Sequence, residues 1–569
     1  MAYRFFIHKS IGAFAEDIVA RHGQAGQKAM LFPSPRVARR CLDFIRSRAP
    51  SDLLSGLSVV DLSLDTARAV SPMLSQLSPT ISAVLYPDGA RVFAKEYWQH
   101  TGDGISSRRA EFCHSLFKDM LLVPRTSTPD VKTCATSTRP LRGPKRYQRP
   151  GSVDGITAAT PKSNHAQLSS SASDAATESQ ESNRFLEERF GRNLDLSLVE
   201  RARSAIRRRI AGAVAGEVDS VDEQLPAMST NSRGLHNLQE HDVYLFPTGM
   251  NAIFNAHKAL LAARPQMKSI NFGFPYVDTL KILQKFGPGC VFYGNGSDKD
   301  LDDLEKSLRS GERFLSFFCE FPGNPLLKCP DLARIRKLAD EFDFAVVVDE
   351  TIGTFANINV LPVADIVVSS LTKIFSGDSN VMGGSAILNP NSRYYDALKT
   401  AMDLEVEDTY WPEDVVFMER NSRDFASRVE RINGNAEAIS SILQDHPMVK
   451  YVYYPKCNPS RPNYDAFRIP GAGYGGLLSV VFNEKRQAQA FYDAMDIAKG
   501  PSLGTNFTLC SPYVLLAHYQ ELPWAAQFGV DPWLVRVSVG LEETSELVAT
   551  FKRALEAAEN TPADGQNGR

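Results

Sequence analysis

Apolar and polar positions follow three regimes along this chain. From residue 1 to about 122, strand-like and helix-like runs alternate: AMLFPS reads as a strand, VARRCLDFIRSRA as a helix with Val37, Cys41, Leu42 and Ile45 on one face, and LSVVDLSL and ISAVLYP as further strands. Arg91 to Leu122 predicts two helices around a Gly-containing turn, HTGDGISSRR, whose His100, Arg108 and Arg109 read as the solvated polar residues of a capped turn. Residues 123–183 then lose nearly all large apolar side chains and become rich in Ser, Thr, Pro and Ala. Such a stretch buries too little surface to offset its ordering entropy, so a disordered linker is expected there. From residue 184 strand and helix patterns resume. The boundaries are a 1–122 accessory α/β region, the 123–183 linker, a 184–400 large domain, a 401–558 smaller C-terminal α+β domain with its connecting helix, and a disordered 559–569 tail.

The most informative run is FAVVVDETIGTFANINVLPVADIVVSSLTKIFSGDSNVMGGSAIL, Phe344 to Leu388. It opens with an apolar, β-branched segment of the kind buried on both faces of a parallel sheet. Asp349 closes that segment. In open α/β sheets, ligands bind beyond the carboxyl ends of the strands, which places Asp349 at the expected site; a turn or helix N-cap is the alternative for an isolated Asp. The next strand, ADIVVSS, delivers Ser370, Thr372 and Lys373 into a turn ending in Gly377. A carboxylate and a lysine on neighbouring strand ends, with hydroxyls beside the lysine, form the donor set for pyridoxal phosphate (PLP). The lysine bonds the cofactor's aldehyde carbon, the carboxylate keeps the pyridine nitrogen protonated, and the hydroxyls hold phosphate oxygens.

The segment Ser370-Leu-Thr372-Lys373-Ile-Phe-Ser-Gly377 resembles the lysine motif of the Cys/Met-metabolism PLP enzymes, the cystathionine γ-synthase and γ-lyase family, and the chain is most similar to the long fungal cystathionine γ-synthases. Asp378 stands where the family commonly carries His. The resemblance implies an aspartate-aminotransferase-like fold of type I with a mixed, mainly parallel sheet and a smaller C-terminal domain. It also implies site roles. In DVYLFPTGMNAIF, Gly249 and Met250 match the phosphate cup, where helix N-terminal N–H groups meet an anion. Phe272 of INFGFPYVDTL matches the aromatic stacked on the PLP ring, and Tyr276 is the second aromatic of that motif, able to supply the hydroxyl that Phe272 lacks. Asn324 in the strand-ending SFFCEFPGNPLL matches the residue bonded to the PLP 3′-oxygen, and Arg192 in RFGRNLD the arginine that reaches a neighbouring subunit's phosphate. Phe190 replaces the Tyr of that arm. Arg536 in VRVSVGLE matches the arginine that binds the substrate α-carboxylate, with the Ser502 backbone beside it. A strand arginine is costly to bury alone, so an anion is expected to meet it.

With this resemblance the expected activity is γ-replacement: the acyl group of an O-acyl-L-homoserine gives way to L-cysteine, with Lys373 and Tyr276 as catalytic groups, in trans-sulfuration and methionine biosynthesis. A γ-lyase, an O-acetylhomoserine sulfhydrylase or another γ-replacement enzyme shares the same motifs, and a non-catalytic PLP-binding regulator is a further reading. A homodimer or homotetramer is implied by the crossing arm. Composition agrees with an enzyme. At 569 residues, 43% hydrophobic and 23% charged with net charge −3, the chain favours neither nucleic acid nor a membrane surface as partner. Its eight scattered cysteines lack metal-ligand spacing, so reduced thiols and no metal site are expected. MAYRFFIHKS lacks the apolar core of a signal peptide and no run is long enough to span a bilayer, which makes the cytoplasm the expected location.

Overall fold

The computed structural model describes residues 6–68, 72–125, 196–212, 233–235 and 237–561. Phe190, Arg192 and nearly all of the expected linker and tail lie outside the described residues. The described residues up to 123 and from 196 onward form one compact unit.

The amino-terminal part is a four-stranded sheet of β1 (Gln27–Phe32), β2 (Ser58–Leu64), β3 (Thr80–Pro87) and β4 (Leu122–Pro124) in the order β1-β3-β2-β4. Strand β3 is buried on both faces: Val84 and Tyr86 point to one core with Val37, Cys41 and Tyr97, while Ile81, Ala83 and Leu85 point to another with Phe14, Cys113 and Phe117, and the buried Ser82 donates to Asp61. Side chains alternate across a strand, so a strand covered by helices on both faces has no polar side. The helices Arg91–Thr101 and Ser107–Lys118 form where expected, and Ser106 caps the second by accepting the Arg109 N–H. Their connection corrects the expectation of a solvated turn. His100 is 7% exposed, Thr101 0%, Asp103 5% and Arg109 8%. These polar groups are buried because their partners come from elsewhere in the chain: Arg109 donates to the carbonyls of Pro33, Thr80 and Thr409, and Arg108 pairs with Asp414.

The large domain is built on a seven-stranded sheet of β5 (Val243–Phe246), β6 (Ser269–Phe272), β7 (Cys290–Tyr293), β8 (Ser316–Glu320), β9 (Ala345–Asp349), β10 (Ile366–Ser369) and β11 (Gly384–Leu388), ordered β5-β11-β10-β9-β8-β6-β7. Pairings from β10 across to β7 are parallel, and β11 runs antiparallel to both β10 and β5. This is the mixed, mainly parallel sheet anticipated from the β-branched runs. One face is covered by the helix Gly249–Ala263, whose Ile253, Ala256 and Leu260 join Val347, Val368 and Leu388 in a single core. The C-terminal part carries a second sheet of β12 (Val449–Tyr453), β13 (Leu477–Phe482), β14 (Ala498–Lys499), β15 (Leu509–Ser511) and β16 (Val535–Ser538), in the order β12-β13-β16-β15-β14. It places Arg536, on β16, beside Ser511 and Ser479.

Candidate active site

Two carboxylates stand side by side at the carboxyl edge of the large sheet. Glu320 ends β8, Asp349 ends β9, and the two are register partners. Asp349 accepts both the backbone N–H of Thr351 at 2.9 Å and its hydroxyl at 2.5 Å, and the Thr351 hydroxyl in turn accepts the Ser370 N–H at 2.8 Å. Burial pushes the Asp349 carboxyl up to about 6, against the pull of those Thr351 bonds and with help from the Glu350 charge. Glu320 lies deeper in the same conflict: burial first, then the Asp349 charge, lifts it to about 8, although it accepts N–H bonds from Tyr276 and Asn324. A bound cation or protonated ring nitrogen beside Asp349 would relieve this electrostatic load.

Lys373 follows β10 in a turn held from below by Arg428, which donates to the carbonyls of Ile374 and Phe375. Its Nζ lies 3.0 Å from Ser502 Oγ. Desolvation, reinforced by the positive charge of Arg536, pulls the Lys373 ammonium down to about 8 from its ordinary value of 10.5. Arg536 lies under the same loop: it donates to the carbonyls of Pro501 and Ser502 at 2.7 Å each and to Asn324 Oδ1 at 3.1 Å, with Tyr513 stacked at 4.2 Å. These carbonyl and amide oxygens orient the guanidinium. Asn324 completes the chain by donating to the Tyr513 hydroxyl at 3.0 Å.

The third wall is the amino end of the Gly249–Ala263 helix. Thr248 caps it, accepting the Asn251 N–H at 3.0 Å. Gly249 packs so closely on the lysine strand that a Cβ there would stand 2.6 Å from Ser370 Cβ and 2.8 Å from its Oγ, so no larger residue fits. The Thr372 hydroxyl bonds the backbone of Gly383, both accepting its N–H and donating to its carbonyl. Next to Asp349, a small pocket is lined by residues including Asn271, Thr279, Phe318 and Glu320. Within it Asn271 Oδ1 and Thr279 Oγ1 are buried without a partner. An anion-favouring helix end, hydroxyls beside it, a partly neutral lysine and a buried carboxylate make a donor set that fits a phosphorylated pyridine aldehyde.

The structure thus brings Lys373, Ser502, Arg536 and Asn324 into one network, and Asp349, Ser370 and Gly249 into a second that adjoins it. Tyr276 sits at the amino end of the helix Val277–Lys285, tied to Glu320 through its backbone. Met250 packs against the core of the large domain from the first turn of its helix. Phe272 ends β6. In the register it faces the side of Cys319 and Val348, opposite to Glu320 and Asp349, and its ring packs on Phe317 at 5.2 Å and Tyr293 at 6.4 Å. Phe272 is also one of the residues lining a pocket with Glu320, and Tyr276 is the second aromatic of this motif, at the strand-end edge. Among residues not anticipated, Glu320 carries the same signal as Asp349, a carboxylate closing an apolar strand. Arg428 and Tyr513 carry none, since their roles depend on contacts far along the chain.

Residues 230–556 match the profile of the Cys/Met metabolism PLP-dependent enzymes, and residues 10–106 match that of the N-terminal domain of fungal trans-sulfuration enzymes. A cystathionine gamma-synthase of Neurospora crassa is 62% identical over 98% of this chain and 92% of its own length. A cystathionine gamma-synthase-like enzyme of Amanita muscaria is 40% identical, with 98% and 90% covered. Among solved structures, the cystathionine gamma synthase of Xanthomonas oryzae pv. oryzae in complex with aminoacrylate and cysteine shares the fold with a TM-score of 0.50 at 23% identity, covering 63% of this chain and 98% of that one. No helix among the described residues is long and apolar enough to cross a membrane.

Proposed function

The chain belongs to the Cys/Met metabolism PLP-dependent enzyme family, and on that premise we propose that it is a cystathionine γ-synthase. The reaction joins an O-acyl-L-homoserine and L-cysteine to give cystathionine and the free carboxylic acid. The observation that supports it best is the Lys373–Ser502–Arg536 arrangement, in which the loop at Ser502 touches both an amine and a guanidinium, the pair an α-amino acid substrate requires. PLP bound at this site supplies the electron sink that makes the substrate's Cα and Cβ protons acidic and lets the γ-acyloxy group leave.

The chain's own residues do the rest. Lys373, with its ammonium lowered to about 8, is partly neutral near physiological pH, so its Nζ takes a proton from substrate carbon and returns it. Ser502 Oγ holds that nitrogen in place between transfers. Arg536 binds the substrate carboxylate, exchanging the neutral acceptors it now holds for a charged one, which is the stronger bond. Asp349 holds the pyridine nitrogen's proton, Gly249 and Met250 offer backbone N–H groups to the phosphate, and Ser370 and Thr372 flank it. Tyr276 is the hydroxyl-bearing aromatic over the site, and Asn324 meets the cofactor's ring oxygen. Arg192 completes the phosphate contacts across a homodimer or homotetramer, and the enzyme works in the cytoplasm.

Mass spectrometry of products tests the reading. The PLP-loaded protein incubated with O-acetyl- or O-succinyl-homoserine should form cystathionine only when cysteine is present. Formation of 2-oxobutyrate at the same rate with and without cysteine would replace this reading by a γ-lyase.

A further inference from the structure

The amino-terminal part of the chain reaches the cofactor end of the site through the loop once expected to be solvated. Gly102 ends the helix Arg91–Thr101 in the left-handed conformation, φ 64°, and lies directly against the capped end of the Gly249–Ala263 helix. A Cβ on Gly102 would stand 2.2 Å from Thr248 Oγ1 and 2.8 Å from the Asn251 N, so the contact admits only glycine. Both N–H bonds of the Asn251 side-chain amide are taken by this loop, one by the Thr101 carbonyl at 3.1 Å and one by Asp103 Oδ1 at 2.6 Å. The other Asp103 oxygen accepts the Tyr97 hydroxyl at 2.6 Å and the Arg40 guanidinium at 3.2 Å. The same loop holds the second helix end at the site: His100 and Gln99 both bond Asp278, in the first turn of the helix that Tyr276 begins.

We propose that Asp103 is a positioning residue for the cofactor phosphate, fixing the first turn of the Gly249–Ala263 helix through Asn251. The inference rests on the reading of that turn as the phosphate cup. Asn251 and Gly249 share the turn whose backbone N–H groups would meet phosphate oxygens, and such bonds are directional and weaken steeply when misaligned. Arg40 pairs with Asp103 from the far side at 3.2 Å, which makes the bond to the amide one arm of a charged network. Asp103→Asn leaves one acceptor where the carboxylate uses two, so an amide donor must face either Asn251 or the Arg40 and Tyr97 donors, and the tie to the turn is weakened.

The test compares ligands with and without the phosphate. Full-length protein stripped of PLP is titrated with PLP and with pyridoxal, followed by the absorbance of the bound chromophore, with inorganic phosphate as a competitor. Asp103→Asn should weaken PLP about tenfold or more, the cost of a charge-assisted bond lost. It should leave pyridoxal within about twofold and weaken competition by phosphate, because the fault lies at the phosphate end alone. Asn251→Ala, which removes the other end of the tie, should show the same selectivity, and the double variant should be no worse than the poorer single one. If Asp103→Asn fails to fold, Asn251→Ala decides by itself. Equal losses for PLP and pyridoxal, or PLP affinity unchanged, would overturn the inference. Wild-type protein that failed to bind PLP would remove the cup reading and the inference with it, a result visible before any variant is made.

Discussion

Replacing Arg233 by methionine should cost this protein a large part of its stability. Arg233 and Glu350 are each 1% exposed and meet in a two-pronged bond, Nη1 to Oε2 at 2.7 Å and Nη2 to Oε1 at 2.6 Å. The Arg233 Nε also donates to the Ile210 carbonyl at 3.2 Å, and the guanidinium lies 4.7 Å from the centre of the Phe355 ring. Methionine replaces most of the apolar stem but strands the Glu350 carboxylate in the interior. Breaking a buried pair from one side typically costs about 3–5 kcal/mol, because the remaining charge has lost its hydration and gained nothing. The site should feel it as well. Glu350 already helps to raise the Asp349 carboxyl, so an unpaired Glu350 raises it further and weakens the grip on the pyridine nitrogen. Urea denaturation measures the first effect and PLP titration the second. Glu350→Leu made together with Arg233→Met should recover most of the stability, since removing both charges avoids the stranded one. A single variant that loses less than about 1 kcal/mol, or a double variant no better than the single, would refute the reasoning.

Lys373→Ala should abolish turnover while the chain keeps its fold by circular dichroism, and a rate near that of the native protein would remove Lys373 from the mechanism. Glu320 sets a pH dependence in the cofactor-free protein. Its carboxyl is raised from 4.5 to about 8, so the folded state holds a proton that the unfolded state has released. Stability from this group is present below about 4.5 and is lost as pH rises towards 8. Glu320→Gln should flatten the thermal-melting profile across that window, and an unaltered slope would assign the dependence elsewhere. Arg536→Lys should raise KM for the amino-acid substrate at least tenfold with a smaller change in kcat, because a single ammonium does not reproduce the planar fork; steady-state kinetics separates the two.

Much of the scaffold is legible from local pattern, because β9 and β10 are β-branched runs closed by a charged or hydroxyl residue. The same rule finds Asp349 and Lys373, and it also reaches Glu320. Phase is less legible. Ser269–Phe272 alternates polar and apolar residues but is buried on both faces, so the alternation puts Phe272 opposite Asn271 without saying which face carries the site, and pairing with β8 is what sets Phe272 on the face away from Asp349. The HTGDG segment misleads for a different reason. Its polar residues resemble a wet turn in isolation, whereas their partners Asn251 and Asp278 lie 148 and 178 residues further on. Composition registers polarity but not whether another part of the chain satisfies it.

Synthesis from the amino end imposes an order on these contacts. Strand β5 gains its neighbour only when β11 has been made, so the large sheet closes late, after Lys373 is already in the chain. Asn324 then waits for Arg536, 212 residues downstream. At roughly 5–20 residues per second, that wait is about 10–40 s. A nascent chain therefore contains Gly249 and Lys373 well before it contains Arg536. Ribosome-bound protein passes through a stage at which Lys373 and the Gly249–Ala263 helix have been made while Arg428 and Ser502, which hold the lysine, and the Arg536 guanidinium are still to come.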